Sequence, residues 1–141
     1  MPHQHWAWTL NQAIPSERGA GHRIIEQVLD HLEIQGWSSH DTFSVRLAME
    51  EAIVNAIKHG NRLDSSKQVR IICKMSPHRL WIEVSDEGSG FNPECVPDCT
   101  DPDRLEIPSG RGIMLMRNYM NRVEYNDTGN AVVMEKERAH G

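Results

Sequence analysis

The sequence EEAIVNAIKHG, residues 50–60, combines an apolar helical pattern with polar side chains gathered on one side. On an α-helix, at about 100° per residue, three of them, Glu51, Asn55 and Lys58, fall together with Arg62, just beyond this stretch, within an arc of roughly 60°. His59 lies beside this arc. The rest of the circumference is mostly Ala, Ile and Val, so the helix should be buried on most sides. The polar stripe therefore faces either water or a cavity.

Two interpretations of this stripe are open. In the first, it is a solvated surface on which Glu51 contacts Asn55 and Lys58. In the second, it lines a pocket for phosphate and Mg²⁺, where the Asn55 oxygen is a metal ligand and Lys58 neutralises phosphate charge. Glu51, one turn earlier, would then accept a proton from an attacking hydroxyl group.

The pattern along the chain predicts the elements that surround this helix. A strand at residues 5–10 is followed by a helix from Pro15-Ser16-Glu17 to Gly36 and by a second helix from Ser38-Ser39 to Gly60. The chain then continues with a hairpin (69–75 and 80–84), a short helix (111–120) and two strands (122–125 and 131–135). Elements of one kind are grouped, which predicts an α+β fold: a two-layer sandwich with helices on one face of a mixed, mostly antiparallel sheet.

Two glycine-rich segments come after the hairpin. Asp86-Glu87-Gly88-Ser89-Gly90 follows a strand directly, so that Asp86 could accept a hydrogen bond from the amine of a flat ring, with Gly88 and Gly90 allowing close approach. The alternative is a plain turn that ends the strand.

The second segment, Ser109-Gly110-Arg111-Gly112, opens the short helix. Free N–H groups at a helix N-terminus favour phosphate, and Arg111 adds charge-assisted contacts. The alternative is a simple helix cap. Between the two segments, residues 92–110 are long and poor in apolar side chains, and we expect them to form a mobile lid.

Composition excludes several classes of function. The chain has 141 residues and a net charge of −5, which argues against general binding of nucleic acid. No apolar run reaches the ~20 residues that span a bilayer, and the first residues do not resemble a secretory signal. Three cysteines without a framework spacing favour the cytoplasm. Cys95 and Cys99 lack the spacing of a zinc site.

In order, the motifs E-x-x-x-N-A-x-x-H-G, D-x-G-x-G-F and G-x-G-I-x-L-M resemble the GHKL ATPase superfamily, and within it most closely the small anti-sigma-factor serine kinases of bacterial partner switching. The resemblance covers nearly the whole chain, as a single histidine-kinase-like ATPase domain over residues 1–141. It implies an ATP-dependent protein-serine kinase that binds a sigma factor, phosphorylates an antagonist protein and can form a homodimer.

The resemblance also implies roles for individual residues. Glu51 is the general base, Asn55 the Mg²⁺ ligand and Asp86 the residue that binds adenine. The other nucleotide-binding positions are Lys58, His59, Gly88, Gly90, Gly110, Arg111 and Gly112.

The chain departs from the family pattern at two places. Gly129-Asn130-Ala131 stands where members often have Gly-Thr, so the support of the adenine site is altered or absent. Ile107-Pro108-Ser109 stands where the serine kinases often have an arginine. Both departures slightly favour an alternative: a regulatory module that binds ATP and sequesters a partner without phosphotransfer. A histidine-kinase catalytic module, the third candidate, would need a phosphoacceptor helix pair that this chain lacks.

Overall fold

The computed structural model describes residues 6–88 and 116–139. Five strands and two long helices make up these parts: β1 Trp8–Pro15, α1 His22–Ile34, α2 Ser39–Val54, β2 Gln68–Met75, β3 Arg79–Ser85, β4 Arg122–Tyr125 and β5 Ala131–Glu137. A π-helical turn, Asn55–Gly60, continues α2, and residues 116–119 form a short helix before β4. None of the described helices is long and apolar enough to cross a membrane.

The strands form one sheet in the order β1-β2-β3-β5-β4, and every described pair is antiparallel. Alternate residues of the β2–β3 hairpin point into the core, where Cys73 lies opposite Ile82. These side chains pack with the apolar faces of α1 and α2 in one core cluster. The predicted α+β sandwich is therefore confirmed, and the pairs among the described strands are all antiparallel rather than mixed.

The start of α1 differs from the prediction. Pro15-Ser16 was expected to open the helix, whereas β1 continues to Pro15 and α1 begins at His22. The Ser16 hydroxyl does not cap a helix; it donates to the carbonyl of Lys67, at 2.8 Å, next to the start of β2. The strand predicted at residues 5–10 is correspondingly longer at its C-terminal end.

Helix α2 begins as predicted and ends differently. Ser38 is its N-cap and accepts a hydrogen bond from the N–H of Asp41, at 3.1 Å. After Val54 the helix widens into the π-helical turn, so the α-helix predicted to reach Gly60 is wrong over its last six residues. The chain leaves this turn through Arg62 and Leu63, which have φ of 54° and 59°. Non-glycine residues in this left-handed region carry backbone strain.

Replacing Ser38 by alanine tests the cap of α2. Ser38→Ala should lower the free energy of unfolding by about 1 kcal/mol, because the N–H of Asp41 loses its acceptor. Ser39→Ala, one residue inside the same helix and exposed, should change it by less than ~0.5 kcal/mol. Urea unfolding of both variants measures the difference, and equal effects would show that Ser38 does not cap the helix.

Candidate active site

The residue predicted to bind a purine, Asp86, lies in a tight turn directly after β3. The N–H of Gly88 donates to the Asp86 carboxylate at 2.8 Å. On its other side this carboxylate lies against Gly60, where an added Cβ would stand 2.2 Å from Oδ2 of Asp86. A Cβ on Gly88 would stand 2.0 Å from the Gly60 carbonyl oxygen. Only glycine at both positions permits this close approach of the turn to the end of the π-helical turn.

The environment of Asp86 is unusual for a carboxylate. Burial raises its pKa to about 6, while the Gly88 N–H and the charge of Lys67 act in the opposite direction. A carboxyl group held partly out of water is a typical feature of a binding site. It provides an acceptor for a hydrogen bond from a ligand.

The backbone of the Asp86 turn is supported by Asn130, the residue before β5. The carbonyl of Asn130 accepts from the N–H of Asp86 at 2.9 Å. Its side-chain Nδ2 donates to the Gly88 carbonyl at 3.3 Å. Asn130 therefore holds the Asp86 turn through one main-chain and one side-chain hydrogen bond.

Asn55 is the first residue of the π-helical turn and is 8% exposed. Its amide nitrogen is buried without a hydrogen bond of good geometry to any residue in the described parts of the chain. A buried carboxamide in this condition costs free energy unless a ligand or water completes it. Irregular π-turns of this kind occur frequently at functional sites.

Tyr125 ends β4, and its hydroxyl oxygen is buried. Burial raises the pKa of its hydroxyl to about 12; the side chain of Asn55 and the charge of Arg117 oppose the rise, and the charges of Asp86 and Glu51 add to it. Glu51 and Asn55 lie one turn apart where α2 passes into the π-helical turn, and the Asp86 carboxylate lies against Gly60 at the end of that turn.

Sequence analysis missed Tyr125 and Arg117. The alternation in Arg122-Val123-Glu124-Tyr125 places Val123 and Tyr125 on the same side of β4, which is a weak signal that Tyr125 faces inward.

Lys58 lies elsewhere. It is exposed and lines a cavity of about 350 Å³ together with Glu50, Ile57 and residues near the start of α1. The lining of this cavity does not include Glu51, Asn55 or Asp86. The predicted continuous stripe is therefore wrong beyond Asn55, because a π-turn takes more residues per turn than the 100° spacing assumes. His59 is half-buried within the same turn.

Several predicted positions fall outside the described residues: Gly90, Gly110, Arg111, Gly112 and the lid at residues 92–110. The described residues contain no cluster of three or more His, Cys, Asp or Glu side chains that could hold a metal ion. A divalent cation at this site would depend on Asn55 and on oxygens of the ligand itself. The half-buried Asp86 carboxylate, an acceptor for an amine, and the incompletely bonded Asn55 amide fit the chemistry of a purine nucleotide.

Comparison with known proteins agrees with this geometry. The model of the histidine kinase-like ATPase domain family matches residues 14–136. A solved structure of the RsbU and RsbW domains of a Mycobacterium tuberculosis protein shares the fold, with a TM-score of 0.63 and 13% identity. The match covers 94% of this chain but only 32% of that one.

Relatives identified by sequence are anti-sigma factors and kinases. The anti-sigma F factor of Clostridium perfringens is 31% identical over 99 residues, covering 65% of this chain and 69% of its own. The serine-protein kinase RsbW of Listeria monocytogenes is 27% identical over 121 residues, with 77% of each chain covered. The serine/threonine-protein kinase BtrW of Bordetella bronchiseptica is 23% identical over 101 residues, covering 69% and 70%. The predicted resemblance is confirmed.

The raised pKa of Asp86 predicts a pH-dependent gain of stability in Asp86→Asn. The folded protein holds the proton more tightly than the unfolded chain, so wild-type stability falls as pH rises from the ordinary value of 3.8 through about 6. Asp86→Asn cannot ionise, so above pH 6 it should be more stable than the wild type. We expect its free energy of unfolding to be higher by on the order of 1 kcal/mol, after allowing for solvent screening of this half-buried group. Below pH 4 the difference should vanish.

Thermal unfolding across this pH range measures the effect. Asp64→Asn is the control, because hydrogen bonds from Ser66 lower the pKa of Asp64, the opposite direction. The control should show no stabilisation at any pH. A gain in Asp86→Asn that is the same at pH 4 and pH 8 would contradict the burial of the charge.

Proposed function

Because this chain belongs to the histidine kinase-like ATPase family, we propose that it is an ATP-dependent protein-serine kinase that also acts as an anti-sigma factor. The observation that carries this proposal is the position of the Asp86 carboxylate against Gly60, at the end of the helical segment that bears Glu51 and the buried Asn55. Glu51, Asn55 and Asp86 are the residues to which the family pattern gives the base, metal and adenine roles. The kinase and anti-sigma names of the relatives support the same function.

The purine would lie against the Asp86 turn. Its exocyclic amine would donate to the Asp86 carboxylate, whose position depends on the absence of side chains at Gly60 and Gly88. Asn55 would bind Mg²⁺ through its amide oxygen, and the predicted glycines Gly110 and Gly112 would contact the phosphates. When bound, Mg·ATP supplies the γ-phosphoryl group and a cation that neutralises phosphate charge.

Glu51 would do the proton chemistry. Its carboxylate, one helical turn before Asn55, would accept the proton of a serine hydroxyl on the antagonist protein. The serine oxygen then forms its bond to phosphorus as the bond to the β-phosphate oxygen breaks and ADP leaves. The new phosphoserine carries about −1.5 to −2 charges at neutral pH, enough to disrupt a docked interface. Release of the antagonist would leave the kinase available to a sigma factor, in the cytoplasm.

A second candidate is a regulatory module that binds ATP and sequesters a partner without phosphotransfer. The observation in its favour is the absence of an arginine immediately before Gly110 in the sequence. Both candidates use the same purine site, and they differ only in the role of Glu51.

Glu51→Gln separates the two candidates. We expect it to slow phosphate transfer at least ~100-fold, because the amide cannot accept the serine proton, while nucleotide affinity stays within about threefold. Mass spectrometry of candidate antagonist proteins after incubation with Mg·ATP detects the added phosphate. Glu50→Gln is the matched control, because Glu50 is the adjacent residue, is exposed and lines the other cavity. Nucleotide binding by the wild type with no transfer to any antagonist would favour the module.

Gly60→Ala tests where the purine binds. The added methyl group would displace the Asp86 carboxylate, so we expect the Kd for ATP, measured by calorimetry, to rise at least ~10-fold. Gly19→Ala is the control: it meets no atom within 4 Å, but its φ of 80° makes it costly for stability. If both variants bind ATP as the wild type does, Asp86 is not at the purine site.

A further inference from the structure

One buried side chain outside the predicted set joins three parts of the fold next to the site. Asn61 follows the π-helical turn and is 1% exposed. Its Nδ2 donates to the Ser16 hydroxyl at 2.7 Å and to the Gln68 carbonyl at 3.0 Å. Its Oδ1 accepts from the N–H of Glu87 at 2.8 Å. The amide thus connects the end of β1, the start of β2 and the turn after β3.

The contact with Glu87 acts on the purine site. Glu87 is the middle residue of the turn formed by Asp86, Glu87 and Gly88, so the Asn61 oxygen fixes the backbone between the carboxylate and the glycine. On the opposite side, Asn130 accepts from the N–H of Asp86. Hydrogen bonds with Asn61 and Asn130 therefore hold the turn in place.

The position of Asn61 depends on the π-helical turn. Its N–H donates to the carbonyl of Ala56 at 2.8 Å, a bond that spans five residues. An α-helical bond would span four. The strained residues that follow, Arg62 and Leu63, carry the chain away while the Asn61 side chain remains buried. The irregular end of the helix thus serves to place this amide under the turn.

We propose that Asn61 is a positioning residue for nucleotide binding: it fixes the Asp86 carboxylate at the distance and angle needed to accept the purine amine. This inference rests on the proposed function, because it assumes that Asp86 binds the purine. The site needs two donors and one acceptor on a short side chain. Aspartate would keep the acceptor for Glu87 and lose the donors, whereas alanine would lose all three bonds.

The decisive measurement is selectivity between ATP and inosine triphosphate, which lacks the exocyclic amine. Asn61→Ala loosens the Asp86 turn and should weaken ATP binding about tenfold while changing the affinity for inosine triphosphate by less than about twofold. Asn61→Asp keeps the Glu87 contact and should retain most of the wild-type ratio of affinities, although it unfolds at a lower temperature. Ser16→Ala, the matched control, removes one bond of the same group and should leave the ratio unchanged.

The outcomes are distinguishable. No ATP binding by the wild type overturns the proposed function and the inference with it. ATP-selective binding by the wild type with an unchanged ratio in Asn61→Ala overturns only the inference, since Asn61 would then be purely structural. If Asn61→Ala does not fold, hydrogen exchange of the nucleotide-free wild type decides: the Glu87 N–H should be protected, and exchange as fast as in an open loop would refute the inference.

Discussion

The arrangement of the site depends on how closely the Asp86 carboxylate approaches the backbone of Gly60. No side chain stands at Gly60 or Gly88, so the turn after β3 lies directly against the end of the π-helical turn. This contact removes water from one side of the carboxylate and raises its pKa. A carboxylate held in this way lowers stability above its pKa, a cost that is common at binding sites.

The π-helical turn determines what else reaches this contact. By widening after Val54, it leaves Asn55 buried near Tyr125 while Lys58 faces the neighbouring cavity. The same widening brings Asn61 under the Asp86 turn. A continuous α-helix would rotate every residue after Asn55 to a different side. The π-helical turn therefore determines which side chains reach the site.

Patterns that depend on burial were predictable from the sequence. The alternation in β2 and β3 and the helical spacing of Ile24, Val28 and Leu32 in α1 correspond to the observed core. Features fixed by polar contacts between residues far apart in the chain were not predictable from the sequence. Ser16 has the chemistry of a helix cap, but its hydroxyl bonds to Lys67, far along the chain. Likewise, no local pattern marks the π-turn, whose exit is held by the tertiary bonds of Asn61.

The departure at Asn130 bears on the choice between kinase and binding module. Asn130 holds the N–H of Asp86 through its main-chain carbonyl, a bond that any residue could make, and its side chain adds a bond to the Gly88 carbonyl. Two hydrogen bonds thus hold the backbone of the Asp86 turn without the threonine of the family pattern. The departure at Asn130 is therefore no argument for a module that binds ATP without phosphotransfer. The distinction depends instead on whether the Glu51 carboxylate, one turn from Asn55, takes up the proton of an incoming serine.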